Sequence, residues 1–479
     1  MLQDIWDSAR IHLESGAFFA ELGRRVSYRS ESSAFGFSLE LDAYLNDVLI
    51  PELTSMGFST GLHPQWRSSG NSFLIASRRE NADAPTVLCY GHADVVAGME
   101  GQWEDGRDPW SLRDEKGVWY GRGTADNKGQ HQVNLDAVRI LLDRQDTLGF
   151  NLIFLFECGE EIGSPSLGEF VRAHREELQA DVLIASDGPR IDAETPTLFL
   201  GNRGAYTFRL TADLREDPLH SGNWGGLLRN AATTIAAAVE ALVDGHGRVR
   251  LRGLQAPPAS PATAAALDRL EFRPAVDDPE PDPAWFDPDL SSARRLWDSN
   301  VLEVLALGAG DVDDPINAIP GEASAVLQLR YIAGSDAAAF LPAISAGLEE
   351  RGLGMVTVQE ISHFPASRVE VSNPWVTWAS TIMEEATGKH TAVLPNIGGS
   401  LPNDVFVDVL GVPTLWVPHS YPGCRQHAPN EHFLASIGAE GLRIMCGLFH
   451  HLGHPATHPS PWHRAVTEVG SASLAPAQR

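Results

Sequence analysis

Between Thr86 and Gly188 the chain alternates short, unbroken apolar runs with longer stretches in which apolar residues recur every three or four positions. TVLCY (86–90), NLIFLF (151–156) and DVLIAS (181–186) are too uniformly apolar to leave one face wet, so they predict strands buried on both faces. QHQVNLDAVRILLDRQ (130–145) and SLGEFVRAHREEL (166–178) carry the helical spacing between them. Strands alternating with helices predict an α/β domain with a mostly parallel sheet and helices on both faces. After Gly204 the pattern changes. AYTFRLTADL, ASAVLQLRYIA and GMVTVQEIS alternate like half-exposed strands, and NAATTIAAAVEALVDG is helical, which predicts an α+β unit. The first style returns in PWVTWASTIMEEATG, TLWVP (414–418) and a long helix over NEHFLASIGAEGLRIMCGLFHHLG. The simplest division is a first catalytic part at 1–204, an α+β insert at 205–370 and a second catalytic part at 371–479. Pro257 to Pro288 holds eight prolines and many aspartates, so 255–290 is expected to be an irregular excursion within the insert. The tail from about Ser471 is expected to fray.

Function in such sheets gathers beyond the carboxyl ends of the strands. Those positions here are rich in carboxylate and imidazole. GHADVV supplies His92 and Asp94. GRGTADNKG supplies Asp126, FECGEEIGS supplies Glu160 and Glu161, and LIASDGP supplies Asp187. VPHSYPGCRQHAPNEH offers His419, His427, Glu431 and His432. Each alone could be a cap or a turn former. Together, with no GxSxG nucleophile among them, they point to a metal site: mixed His and Asp/Glu donors suit zinc, manganese or cobalt. The carboxylates exceed what one closed site can use, which two metals sharing an Asp would explain. GRGTADNKG lacks the G-K-[ST] of a phosphate loop and the GxGxxG of a dinucleotide fold.

Composition narrows the partners. Lys and Arg number 36 against 63 Asp and Glu, a net charge of −27. Such a surface repels nucleic acid and anionic membranes. Four cysteines without a CxxC pair make a disulfide framework unexpected. The N-terminus lacks the basic start and clean apolar run of a signal peptide, and no apolar stretch is long enough to span a bilayer. A cytoplasmic location is expected.

The ordered blocks GHADVV, GRGTADNKG, GEEIGS, SDGP, HSG…GG, GGSLP and HAPNE resemble the M20-type dimetal metallopeptidases and deacylases. That family includes carnosinase-like dipeptidases, glutamate carboxypeptidases and acylamino-acid deacylases. The resemblance implies two zinc ions per chain, or manganese or cobalt. His92 and Asp187 would bind one, Glu161 and His427 the other, and Asp126 would bridge. It implies Glu160 as general base, Asp94 as the acid that orients His92, and a cis peptide at Asp126–Asn127. The insert would be a lid that also dimerises the protein. In DPLHSGNWGG, His220 would reach the active site of the neighbouring subunit. Asn317 and Arg330 would contact substrate from the lid, and Gly399 and Ser400 would line the pocket. A small peptide or amide substrate and a homodimer follow. The leading expectation is hydrolysis of a peptide or amide bond beside a free carboxylate. An N-acylamino-acid deacylase and an inactive metal-dependent scaffold are the alternatives. Glu157 receives no chemical role, His419, Cys424 and His432 are expected to be loop or packing residues, and HHLGHPATHP, ending near His458, is expected to be a solvated turn.

Overall fold

A computed structural model describes residues 1–459 except 34, 35, 38, 68 and 273–278. The tail from Ser471 and part of the Pro/Asp-rich excursion therefore lie outside the described residues. The larger unit contains strands β1 (Ser59–His63), β2 (Phe73–Arg78), β3 (Thr86–His92), β4 (Asn151–Glu157), β5 (Val182–Ala185) and β6 (Thr197–Phe199). The insert contributes β7 (Gly204–Asp213), β8 (Val301–Gly308), β9 (Glu322–Tyr331) and β10 (Val356–Phe364). Two further strands, β11 (Ala392–Leu394) and β12 (Thr414–Trp416), return to the first sheet.

The first sheet has eight strands in the order β11-β6-β12-β5-β3-β4-β2-β1. Its centre, β12-β5-β3-β4, is parallel throughout, and antiparallel strands close the β1 edge. Every residue of β3 and β4 is buried, as the unbroken apolar runs require. Two apolar clusters cover the two faces, one around Leu152, Phe154 and Leu442, the other around Ile153, Phe170 and Trp416. The helix Lys128–Leu142 lies in the first of these layers. The insert is a four-stranded antiparallel sheet in the order β8-β9-β7-β10. Its own core, around Phe208, Ile235 and Ile344, is built with the helices Ala231–Leu242 and Phe340–Glu350.

Three local expectations change. The long C-terminal helix begins at Ala435, because His432–Leu434 pairs antiparallel with Val118–Tyr120. There the Phe433 ring stacks on Phe18 and Trp119, a tertiary contact that outweighs local helix preference. The stretch 166–178 breaks at His174 (φ −109°, ψ 23°) into Leu167–Ala173 and Arg175–Leu178. The Pro/Asp-rich stretch holds a helix, Pro261–Leu267, with Pro at its first turn and Ser260 capping the Thr263 N–H, which is where proline suits a helix. Leu267, together with Ala293 and Trp297 just beyond the stretch, is buried in the second cluster of the large sheet and not in the insert's core. That helix thus packs against the larger unit.

Candidate active site

Parallel strands deliver their carboxyl ends to one edge. His92 ends β3, Glu160 and Glu161 follow β4 in a short 3₁₀ turn, and Asp187 follows β5. Asp126 comes from the loop before helix Lys128–Leu142, next to a cis Asp126–Asn127 peptide. His427 comes from the loop after β12, at φ 59°. The described residues contain two groups able to hold a metal ion: His92, Asp126 and Asp187, and Asp126, Glu161 and His427.

Asp126 belongs to both groups, with one oxygen turned to each. Its Oδ1 lies 3.0 Å from His92 Nε2 and its Oδ2 3.1 Å from His427 Nε2. His92 Nε2 is also 3.6 Å from Asp187 Oδ2, and His427 Nε2 is 2.9 Å from Glu161 Oε2. Donors around one tetrahedral zinc stand about 3.4 Å apart, given bonds of about 2.1 Å. The observed separations bracket that figure. Asp187 Oδ2 and Glu161 Oε1 are buried with no hydrogen-bond partner, a costly state for a carboxylate oxygen that a cation removes. The residues present therefore fit a pair of divalent ions.

The electrostatics point the same way. Burial and the charge of Asp126 push Glu161 up to about 7 and Asp187 up to about 6. Burial and the neighbouring charges of Asp187, Glu161 and Asp126 hold Glu160 well above the usual carboxylate range, against an opposing pull from His92. Hydrogen bonds to Asp126 and Glu161 raise His427 to about 11. Burial opposes ionisation of Asp126, but hydrogen bonds from His427 and His92 outweigh it and keep its carboxyl low. Acids crowd this basin beyond what two imidazoles can balance, and a bound dication would balance them.

Asp94 organises the two strand ends. Its backbone carbonyl accepts from His92 Nδ1 at 3.0 Å, with its Oδ1 3.3 Å away. Pinning the Nδ1 proton leaves the Nε2 lone pair facing Asp126 and Asp187. The same carboxylate accepts the backbone N–H groups of Glu160 (3.2 Å) and Glu161 (3.1 Å) and the hydroxyl of Ser32 (2.6 Å). Glu157, the last residue of β4, is buried and accepts from Tyr90 Oη (2.7 Å), Ser164 Oγ (2.9 Å) and Asn71 Nδ2 (3.0 Å). It ties down both ends of the turn that carries Glu160 and Glu161. Burial raises it to about 7.

The remaining sequence candidates divide. Arg330, on β9, donates to Ser400 Oγ at 3.4 Å. Ser400 lines a cavity of about 500 Å³ together with Glu160, Glu161 and His427. Gly399 is exposed beside it. His220 and Asn317 stand elsewhere, at a two-stranded ribbon of the insert in which His220 pairs with Ala318, the residue after Asn317. Both are exposed. The His220 ring accepts the Gly222 N–H, and the Asn317 carbonyl accepts from Ser221. His419 is buried against Ser186 and Gln130, and His432 is held by Tyr421 and the Asn430 carbonyl. The histidine tract ending near His458 belongs to neither metal-compatible group.

Two residues with clear structural work were missed as such. Glu431 is buried and accepts Arg122 Nη1 (2.6 Å) and the N–H groups of Ala125 (2.8 Å), Asp126 (3.1 Å) and Gly123 (3.2 Å). It fixes the Asp126 loop. Its place in HAPNE, an acid beside a ligand block, was the available signal. His363, at the end of β10, lines the 500 Å³ cavity and lies 2.6 Å from Tyr331 Oη. Only its position where the insert returns to the larger unit marked it.

A parallel sheet whose strand ends gather two His/carboxylate triads around one shared aspartate defines a metallohydrolase. The family profile "Peptidase family M20/M25/M40" matches residues 88–451, and the chain belongs to that family. It is a metal-dependent peptidase. A cysteinylglycine-S-conjugate dipeptidase of Corynebacterium striatum is 29% identical over 73% of this chain and 76% of its own. A Cys-Gly metallodipeptidase of Schizosaccharomyces pombe is 24% identical over 91% and 95%. The fold matches human carnosine dipeptidase 1 (TM-score 0.69, 20% identity, 95% of this chain and 100% of that one). It also matches an M20 family metallo-carboxypeptidase of Sulfolobus solfataricus (TM-score 0.73, 22% identity, 91% and 99%). Among the described residues no helix is long and apolar enough to cross a membrane.

Proposed function

We propose that the protein is a dizinc dipeptidase that cleaves a peptide bond next to a free carboxylate, with Glu160 as general base. Manganese or cobalt would suit the same donors. One observation carries the reading. Two ligand triads share Asp126, and the carboxylate of Glu160 beside them is engaged by no described hydrogen-bond donor, while its backbone N–H is taken up by Asp94 and its backbone carbonyl by the Gly163 N–H. The named activities of the relatives, cysteinylglycine-conjugate and Cys-Gly dipeptidases, favour a dipeptide over an N-acylamino acid.

His92 and Asp187 would hold one ion, Glu161 and His427 the other, and Asp126 both. Such ions supply Lewis-acid polarisation of the scissile carbonyl and a lowered pKa for water. Glu160 takes the proton of the attacking water and returns it to the leaving amine. Its raised proton affinity suits a group that must hold a proton between those two events. Asp94 fixes the backbone from which Glu160 swings. Arg330 and Ser400 receive the substrate carboxylate, with the Gly399 backbone beside them.

The same reading makes the protein a homodimer through its lid. β8 is an edge strand, and it exposes Val304, Leu305 and Leu307 at 40%, 56% and 61%. An apolar edge of that kind invites pairing with a second copy. His220 of the partner subunit then completes each site, with Asn317 beside it.

The test is turnover of a dipeptide panel against N-acylamino acids, with and without chelator and added metal. Dipeptide hydrolysis that chelation stops and metal restores is expected. Faster cleavage of N-acylamino acids would make the protein a deacylase. No turnover of either class by metal-loaded protein would leave a scaffold.

A further inference from the structure

A second cavity, of about 430 Å³, lies between the insert strands β8 and β9, at Val301, Glu303 and Arg330, and the Pro/Asp-rich excursion, with Arg203 at the edge of the large unit. Arg330 belongs to its wall as well as to the Ser400 contact, so the cavity begins where the substrate carboxylate is expected. Its other basic lining residues are Arg203 and Arg295, and the acids Asp282 and Glu303 line it too. Arg203 is only 7% exposed, and its Nε is buried with no hydrogen-bond partner. A buried guanidinium without an acceptor is costly and marks a place for an anion. Burial and the neighbouring charge of Arg330 lower its proton affinity, offset in part by Glu303.

The opposite wall is apolar and built. Phe272, Trp285, Phe286 and Leu296 line it. Arg295 donates to the carbonyls of Leu290 (2.9 Å) and Trp285 (3.1 Å), and Arg248 donates to that of Phe286 (2.8 Å). The indole of Trp285 lies so close over Gly247 that a Cβ there would meet it at 2.6 Å. Phe286 itself sits at φ 63°, a conformation a bulky side chain adopts only when its surroundings impose it. The aromatic wall is therefore held in place.

We propose that this cavity receives the side chain of the substrate's C-terminal residue, that this residue is large and apolar, and that Arg203 joins Arg330 in binding its carboxylate. The assignment rests on the dipeptidase reading and narrows its substrate class. A glycine at that end would leave 430 Å³ of aromatic-walled space unfilled. A benzyl or isobutyl group would displace water from it.

The experiment compares kcat/KM of the metal-loaded enzyme for Gly-Phe, Gly-Leu and Gly-Gly, with Gly-Phe amide as the uncharged control. Wild type should favour Gly-Phe over Gly-Gly by at least roughly tenfold, the scale of filling an apolar pocket. Trp285→Ala should bring that ratio down severalfold. Arg203→Met, which keeps length without charge, should lower kcat/KM for Gly-Phe by roughly tenfold to a hundredfold, mostly through KM. It should also shrink the preference for free acid over amide, and Arg203→Lys should restore part of it. A purely structural Arg203 would leave the acid-to-amide ratio untouched. Equal rates for Gly-Phe and Gly-Gly, or an unchanged ratio in Trp285→Ala, would overturn the proposal. Calorimetry of phenylalanine and glycine binding to the metal-loaded protein separates the two readings. If no peptide is cleaved, the dipeptidase reading fails. Phenylalanine binding that is lost in Trp285→Ala would still support the pocket, and equal binding of the two amino acids would refute it.

Discussion

Glu160→Gln removes proton affinity at one side chain and little else. The amide matches the carboxylate in size, and no described hydrogen bond to that carboxylate is lost, since the contact with Asp94 is made by the backbone N–H. What disappears is a positioned proton acceptor, worth roughly 10²–10⁴-fold in rate, or about 3–5 kcal/mol of barrier at 1.36 kcal/mol per tenfold. Stability should move the other way. A carboxyl whose folded pKa is raised, as burial and its acidic neighbours raise Glu160, costs the folded state nothing below its unfolded pKa. The cost grows as pH rises from there through the folded value. Metal-free Glu160→Gln should therefore melt no lower than metal-free wild type at pH 5, and higher at pH 8. The assay is kcat on a dipeptide, with metal content by elemental analysis and melting curves at both pH values. Glu161→Gln is the contrast. Its carboxylate stands 2.9 Å from His427 Nε2, so it should lose metal as well as rate. Near-normal kcat in metal-replete Glu160→Gln would refute the assignment of the base. Loss of metal equal to that in Glu161→Gln would refute the separation of their roles.

Two further outcomes test other parts of the account. Mixed dimers of a His220→Ala subunit with a Glu160→Gln subunit should recover about a quarter of wild-type activity per chain after free reassortment, because two-fold symmetry leaves one site of each heterodimer intact. Verified heterodimers without activity would reject the shared site. Glu431→Gln should lower stability by about 3 kcal/mol, since it leaves the fully buried Arg122 without its counter-charge. It should also weaken metal binding, because only one of the two acceptor oxygens that hold the Asp126 loop remains, and without its charge. An unchanged melting temperature and metal affinity would contradict that role.

The large sheet was legible because strands buried on both faces write themselves as unbroken apolar runs. TVLCY and NLIFLF needed no context, and the candidate ligands stood at their ends. β8 was not read, although VLEVLALG is apolar enough. It is an exposed edge, so neither alternation nor burial marked it. The start of the last helix was misplaced because His432–Leu434 takes its conformation from Val118–Tyr120, more than three hundred residues away in sequence. The excursion looked irregular because its prolines hide a helix, Pro261–Leu267, whose anchor Leu267 packs on a core that no local window contains. At the site, residue types at the strand ends brought His92, Asp126, Glu160, Glu161 and Asp187 into view, and the resemblance of the ordered blocks singled out His427 from His419 and His432. Glu431 and Arg203 could not be weighed, because their meaning lies in what surrounds them. One is an acid that collects backbone N–H groups, and the other a buried guanidinium that has no acceptor.

The central claim is that two cations share Asp126 and that both are needed for peptide hydrolysis. Metal-free protein titrated with zinc or manganese, with bound metal and dipeptide turnover measured on the same samples, tests it most directly. The account predicts that activity reaches its plateau at two equivalents per chain, and that Asp126→Asn binds neither ion tightly. A full plateau at one equivalent, or undiminished activity in protein verified free of metal, would contradict it.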